Sequence, residues 1–368
     1  MLPFLFRVDL MNISKPSLLG FEQQELVQVC QNLDVSTVHA QKIMGKVFRY
    51  AEFDLENIPH FPKKLLTWLQ ENTELSLPEV VSAQKSEDNT QKLLIRMSDN
   101  RDVESVLIPG TGRLTQCISS QVGCAIGCEF CLTATGGLTR NLTTAEMMME
   151  VMVAHRTLGE YPRNMVLMGM GEPLHNYEHV AKFIRMVTDE QGMAFSPRRV
   201  TISTAGLVPA IYRMLEDDLP CSLAVSLNAT TNEVRSQIMP INNKYPLEDL
   251  CQAMRKYVEA RNKKRILIEY VLLAGINDSL DDAKRLTEIA RELGSTVNLL
   301  PFNPFPGSKY QRPSDEVVDM FRHHLNDAGV VAVVRISKGR EISAACGQLK
   351  TEVNQRVIRM IEKRSAAS

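Results

Sequence analysis

TQCISSQVGCAIGCEFC, residues Thr115 to Cys131, decides how this chain is read. Its first five residues, Thr115–Ser119, form a short extended candidate. Its second half sets Cys124, Cys128 and Cys131 in a C-x3-C-x2-C array on a glycine-bearing loop. Three thiolates this close in sequence can wrap one face of a metal cluster. A cubane 4Fe–4S cluster normally takes four cysteine ligands. With three, one iron stays open to an external ligand, and the amino and carboxylate groups of S-adenosylmethionine suit that position. An electron passed to the sulfonium then cleaves a carbon–sulfur bond and releases a 5′-deoxyadenosyl radical. Structural zinc is the rival reading, but it wants four ligands, commonly in C-x2-C pairs, and no second pair follows. Plain core packing is the other.

Downstream of this loop the chain alternates. Extended candidates are Thr115–Ser119, Asn164–Met168, Arg199–Thr204, Ser222–Leu227, Arg265–Leu272 and Thr296–Leu300. Helical patterns lie between and after them, at Thr144–Leu158, Tyr177–Gln191, Pro209–Asp217, Pro246–Arg261 and Ser279–Leu293. Strand-then-helix repetition predicts an α/β fold, a parallel sheet with helices outside, curled into a partial (β/α)6 barrel. In such barrels the reactive loops follow the C-terminal ends of the strands. The cysteine loop follows the first strand.

Upstream, Phe21 to about Leu75 shows apolar spacings of three and four, as in Leu26, Val29 and Leu33, which predict a small helical module. Its Lys42, Lys46, Arg49, Lys63 and Lys64 offer either solvated charge, the ordinary use of lone cations, or a partner contact. Gln91–Met97 and Val103–Ile108, joined by SDNR, predict a hairpin. The expected boundaries are 1–78 for an N-terminal helical accessory domain, 79–114 for a β-hairpin extension, 115–305 for the partial barrel and 306–368 for a C-terminal segment. That last segment holds a helix at Glu316–Ala328, a β-branched run at Val330–Ile336 and a tail helix at Thr351–Lys363.

An apolar fraction of 44% with 23% charged residues is ordinary for a globular protein. Arg7 and Asp9 interrupt the apolar opening MLPFLF, so no membrane span is expected and the cytoplasm is the default. Eight cysteines in 368 residues do not suggest a disulfide scaffold, and Cys30, Cys221 and Cys251 read as small hydrophobes. The net charge of −1 excludes a globally basic nucleic-acid binder, so any RNA footprint must be local. Arg198–Arg199, Lys263–Arg265, Arg335–Arg340 and the tail's Arg356, Arg359, Lys363 and Arg364 are the basic stretches.

Polar residues recur at strand ends. MGMGEP, Met168–Pro173, offers backbone amides beside its glycines and the Glu172 carboxylate for an ammonium group. Ser203 ends the third strand, Ser226 and Asn228 the fourth, and Asn303 follows the sixth. One such residue is an ordinary cap or turn former; a rim of them suits a polar cofactor. Cys117 lies within the first strand and Cys346 far away in AACGQL, whose small residues suit an accessible thiol.

With VESVLIP, CISSQVGCAIGCEFC, MGMGEPL, RRVTISTAG, MPINNKYP, NPFPG and AACGQL, the chain resembles the RlmN/Cfr branch of radical S-adenosylmethionine RNA methyltransferases, from about Gln84 to Leu349. The resemblance implies one 4Fe–4S cluster per chain on Cys124, Cys128 and Cys131, and two S-adenosylmethionine molecules per turnover. It implies cofactor contacts from Gly171, Glu172, Ser203, Ser226, Leu227, Asn228 and Asn303. Asn228 departs from the family, which commonly carries His there; Asn still offers a donor and an acceptor. Cys346 would be methylated by one cofactor, and a radical from a second would abstract hydrogen from that methyl. After addition to adenine, Cys117 would resolve the adduct through a transient disulfide with Cys346, with Glu104 as the proton-accepting base. The chemistry fits: an adenine amidine carbon is electron-poor and has no lone pair to attack a sulfonium methyl. GEP and NPFPG resemble the carbon-2 type rather than the carbon-8 type. The substrate implied is 23S rRNA at the peptidyl-transferase adenine, with tRNA for some members. A flavodoxin-like electron donor and a monomeric state are the further expectations.

Overall fold

Buried and half-exposed residues alternate along the central strands, and this alternation builds the architecture. The computed structural model describes residues 15–261, 266–335 and 337–350. The tail helix, its basic residues, the 263–265 stretch and the apolar opening all lie outside the described residues.

The strands are β1 (Glu79–Lys85), β2 (Gln91–Arg96), β3 (Asp102–Gly110), β4 (Arg113–Cys117), β5 (Gln121–Gly123) and β6 (Leu138–Asn141). They continue as β7 (Asn164–Leu167), β8 (Val200–Thr204), β9 (Ser222–Ser226), β10 (Leu267–Leu272), β11 (Thr296–Pro301) and β12 (Ala332–Val334). One ten-stranded sheet runs β1-β2-β3-β4-β7-β8-β9-β10-β11-β12, and β5 pairs with β6 apart from it. Pairing is antiparallel from β1 to β4 and parallel from β4 to β12.

Two differences from the sequence expectation follow. The hairpin extension is three strands, continuous with the barrel sheet through Val106↔Cys117. Its first strand is mostly exposed, so it carries no two-residue hydrophobic rhythm to read. The β-branched run assigned to the C-terminal segment supplies β12, a further parallel strand beside β11.

In β10, Ile268, Tyr270 and Leu272 are buried toward the helices, while Leu267, Glu269 and Val271 are half-exposed on the inner face. The same alternation holds in β8 and β11. Parallel strands buried on both faces read as unbroken apolar runs, and a closed barrel fills its interior with side chains. Here the polar inner face lines an open lumen.

The helices are α1 (Gln23–Asn32), α2 (Val38–Ile43), α3 (Lys63–Asn72), α4 (Thr144–Leu158), α5 (Tyr177–Thr188), α6 (Val208–Glu216), α7 (Asn232–Ile238), α8 (Leu247–Ala260), α9 (Leu280–Glu292) and α10 (Asp315–Asp327). In α4, Thr143 and Glu146 form a capping box and Gly159 at φ 78° ends the helix. Met147, Met148, Val151 and Met152 bury its inward stripe. One hydrophobic core joins Leu18, Leu26, Phe48 and Leu65 of the N-terminal helices to the barrel's outer face.

The N-terminal cations are largely spent on the chain itself. Arg49 donates to the carbonyls of Gly192 and Glu190, Lys42 to that of Pro59 and Lys64 to that of Leu33, while Lys46 pairs with Glu52. These bonds give Lys42, Lys46, Arg49 and Lys64 an ordinary intramolecular use. Among the described residues no helix is long and apolar enough to cross a membrane.

Candidate active site

The cysteine loop is shaped before any ligand arrives. β5 and β6 flank it, and the Cys124 amide donates to Gly137 O at 2.9 Å. Gly123, at φ 83°, passes so close to Gly137 that a Cβ would lie 2.0 Å from its carbonyl oxygen. Cys131 N donates to Cys128 O at 3.1 Å, closing a turn between these two ligands. Each of the three is half-buried. Burial pushes their thiols up, Cys124 to about 12, and Cys128 is raised further by both Cys131 and Cys124. A metal cluster relieves that cost, because it takes the groups as thiolates. Among the described residues no three His, Cys, Asp or Glu side chains gather tightly enough to hold a single ion. Three thiolates from one loop are the donors a cubane takes on separate irons. The donor set thus fits a cluster.

The loop after β7 lies against the same strand. Ser120 N and Gln121 N both donate to Met170 O, and Glu172 N donates to Gln121 Oε1 at 2.8 Å. Gly171 has φ 105°, and a Cβ there would meet Gln121 at 2.6 Å, so glycine is required. Glu172 is buried, and its carboxylate accepts from Ala205 N at 2.7 Å and Leu174 N at 3.1 Å. Burial raises its pKa while these amides oppose the rise.

The other strand-end residues divide. Ser203 faces the lumen and donates to Glu269 Oε2 at 3.1 Å. Ser226 is half-exposed at the end of β9. Leu227 is buried, and its amide donates to Glu269 O. Asn303 Oδ1 is buried without a hydrogen-bond partner, an orphan acceptor at the rim. Asn228 is different. It sits in the left-handed region at φ 59°, its Oδ1 accepts from Val271 N at 2.8 Å and its Nδ2 contacts Met239 Sδ. Its side chain fastens β9 to β10 through these contacts.

Cys346 arrives from the far end of the chain. Leu132 N donates to Gly347 O at 2.8 Å, and Thr133 Oγ1 to Leu349 O at 2.7 Å, so its loop lies directly on the cysteine loop. Glu104 Oε2 accepts from Lys350 N at 2.9 Å, while Oε1 faces Lys92 Nζ at 3.1 Å. Cys117, Val106, Met170, Ala344 and Leu349 form one small apolar cluster. Cys346 is solvent-exposed, yet dense surroundings push its thiol up to about 11. That combination describes a group facing the lumen rather than the outer surface. Burial, then the neighbouring Cys346, holds the Cys117 thiol far above its ordinary value. All eight cysteines are free thiols here, so the Cys117–Cys346 disulfide is not formed. Burial raises Glu104, and Lys92 opposes the rise.

Three residues escape a reading of the sequence. Lys92, Glu269 and Arg235 are each one charge in an apolar or short segment. A lone acid inside ILIEYVLL was the available signal for Glu269.

A cysteine triplet after the first strand of an open α/β barrel, with a ligand-lined rim, defines a radical S-adenosylmethionine enzyme. Residues 118–287 match the family model of the Radical SAM superfamily. The chain is 40% identical over 369 residues to a dual-specificity RNA methyltransferase RlmN of Rhodopseudomonas palustris (strain BisA53), covering 93% of this chain and 91% of the relative. It is 40% identical over 351 residues to the dual-specificity RNA methyltransferase RlmN of Paracoccus denitrificans (strain Pd 1222), covering 91% and 90%. The crystal structure of a radical SAM methyltransferase from Sphaerobacter thermophilus superposes with a TM-score of 0.84 at 40% identity, covering 91% of this chain and 99% of that one. The chain belongs to the RlmN family of radical SAM RNA methyltransferases.

Proposed function

We propose that the chain methylates carbon 2 of an adenine in 23S rRNA at the peptidyl-transferase centre, and an adenine in tRNA. The observation that carries this reading is the docking of the Cys346 loop on the cysteine loop through Gly347 O and Leu349 O. It gives Cys346 and Cys117 a task that a radical enzyme without a carrier thiol has no use for. The relatives' name, dual-specificity RNA methyltransferase, supports two RNA substrates.

Cys124, Cys128 and Cys131 hold one 4Fe–4S cluster. Gly171 and Glu172, Ser203, Ser226, Leu227 and Asn303 hold S-adenosylmethionine, and Asn228 contributes through its backbone. When bound, cluster and cofactor supply one-electron cleavage of a carbon–sulfur bond, fed by a flavodoxin-like donor. The Cys346 thiolate would take the methyl of one S-adenosylmethionine as a thioether, with S-adenosylhomocysteine as the leaving group, and present it to the ring. Glu104 accepts the proton that leaves carbon 2. Cys117 would then attack the Cys346 sulfur, forming the Cys117–Cys346 disulfide as the sulfur–carbon bond to the adduct breaks, and the released methylene would take up a proton to become the product's methyl group. Exposed Arg198, Arg199, Arg335 and Arg340 support a local phosphate contact by a cytoplasmic, monomeric enzyme.

Nucleoside mass spectrometry tests this. Anaerobically reconstituted protein receives S-adenosylmethionine, a reductant and a ribosomal RNA fragment, and 2-methyladenosine is expected. Appearance of 8-methyladenosine instead would reassign the ring position. Release of 5′-deoxyadenosine with no methyladenosine would reject RNA as the substrate.

A further inference from the structure

Arg235 is the largest fully buried side chain among the described residues, at 0% exposure. It projects from α7, which Thr231 caps. Every group it touches is neutral. Its Nε donates to Leu227 O at 2.9 Å, Nη2 to Ala205 O at 2.7 Å and Ser226 O at 3.3 Å, and Nη1 to Asn242 Oδ1 at 3.2 Å. Among the described residues no carboxylate forms an ion pair with it. Burial draws its pKa down to about 10, which still leaves it charged at neutral pH. A buried charge without a counter-charge costs several kcal/mol. Carbonyl dipoles soften that cost but do not neutralise the ion.

The cysteine loop lies against the end of the same helix. Ile238 O, at the end of α7, accepts from Glu129 N at 3.0 Å, inside the cysteine loop. Cys128 packs with Ala205, Ile238 and Met239 in one cluster of side chains. A Cβ on Gly127 would stand 3.7 Å from Pro240, just beyond α7. The groups that face the guanidinium electrostatically are Cys128 and Cys251. Burial keeps Cys251 a neutral thiol. Cys128 is a cluster ligand in the function proposed above, and this inference rests on that assignment.

We propose that Arg235 is the resident counter-charge of the iron–sulfur cluster, and that it raises the cluster's readiness to accept an electron. Three thiolates on an oxidised cubane leave one net negative charge, and the electron delivered by the external reductant makes two. A fixed positive charge in a water-poor site favours the more negative state. The same guanidinium holds Ala205, Ser226 and Leu227 by their carbonyls, so electron acceptance and cofactor positioning share one side chain. Arg235 acts through other groups and is a positioning residue.

The test is an EPR-monitored redox titration of the full chain, reconstituted anaerobically and without S-adenosylmethionine, with iron and sulfide counted per chain. Arg235→Met should load iron and show at least about tenfold less reduced cluster at a fixed solution potential, a shift of about 59 mV for one electron. Arg235→Lys should stay near the wild type. Asn242→Asp places a carboxylate on Arg235 while keeping the side chain's shape, and should shift the potential in the same direction as Arg235→Met. It keeps the idea falsifiable should Arg235→Met fail to fold. Loaded variants with an unshifted potential overturn the role of Arg235 alone. A wild type that takes up no cluster overturns the proposed function with it.

Discussion

The cysteine loop and the Cys346 loop meet in space but are held in opposite ways. Neighbours in sequence shape most of the first: β5, β6, Gly123 and Gly137 flank the ligands, and its distant ties run through Glu129 to Ile238, Lys309 and Tyr310. Distant partners fasten the second, namely Leu132, Thr133, Glu104 and Pro304. A site can therefore store its metal chemistry locally and its group-transfer chemistry in tertiary docking. Substitutions should separate the two.

The largest separation comes from cysteines. Cys128→Ala should lose cluster iron and every product. Cys346→Ala should keep iron and release 5′-deoxyadenosine, but form no methyladenosine. Retained methyladenosine in the second variant would reduce the Cys346 loop to a cover.

Glu104 is next, because the proposed base is also the clamp on Lys350 N. Glu104→Gln should cut methyladenosine formation by about a hundredfold or more, the scale of general-base catalysis. The sign with pH follows from burial, which raises this carboxyl. A base works ionised, so the wild-type rate should climb as pH passes upward through a pKa above the ordinary carboxylate value. Rate measurements across about pH 5 to 9 should lose that limb in the Gln variant. An identical profile in both proteins would remove Glu104 from the proton transfer.

A smaller effect probes docking alone. Thr133→Val removes the 2.7 Å bond to Leu349 O, worth about 1 kcal/mol. Hydrogen exchange should quicken at Gly347–Lys350 and stay unchanged at Cys124–Cys131. Quickening in both segments would mean that the loops are one unit.

The last concerns the platform beneath them. Glu150 of α4 is fully buried, accepts from Ser119 N at 3.1 Å and is held far above the carboxylate range by burial. A raised pKa means that its contribution to stability is complete below the unfolded value near ~4.3 and is lost as pH rises toward the folded one. Glu150→Gln, an amide mimic of the neutral acid, should keep the fold and lose that decline. Thermal unfolding of both proteins between about pH 4 and 8 reads it; parallel curves would show that the carboxyl is ionised in place.

Legibility in the sequence followed the range of the forces. Strands β7, β8, β10 and β11 carry a two-residue rhythm and helix α5 a helical one, so the residue pattern places them. β1 is an exposed edge with no rhythm, and β12 gains its place only by pairing with β11. The cysteine triplet is a local spacing and was fully visible. Cys346 had a suggestive context in small residues, but nothing near it names Leu132 or Glu104 as partners. Arg235 sits in a seven-residue helix among polar neighbours, where a buried cation leaves no trace in the pattern. Asn228 shows the converse: the motif marked a ligand contact, and the fold used the side chain as a brace.

Because the Cys346 loop seats on the cysteine loop, the order of synthesis acquires meaning. Roughly 200 residues separate Cys131 from Cys346, and at about 5–20 residues per second their emergence differs by roughly 10–40 s. During that interval the three ligands stand uncovered on a half-made barrel. The contacts of Gly347 and Leu349 with Leu132 and Thr133 can therefore form only long after the ligand loop itself has been made.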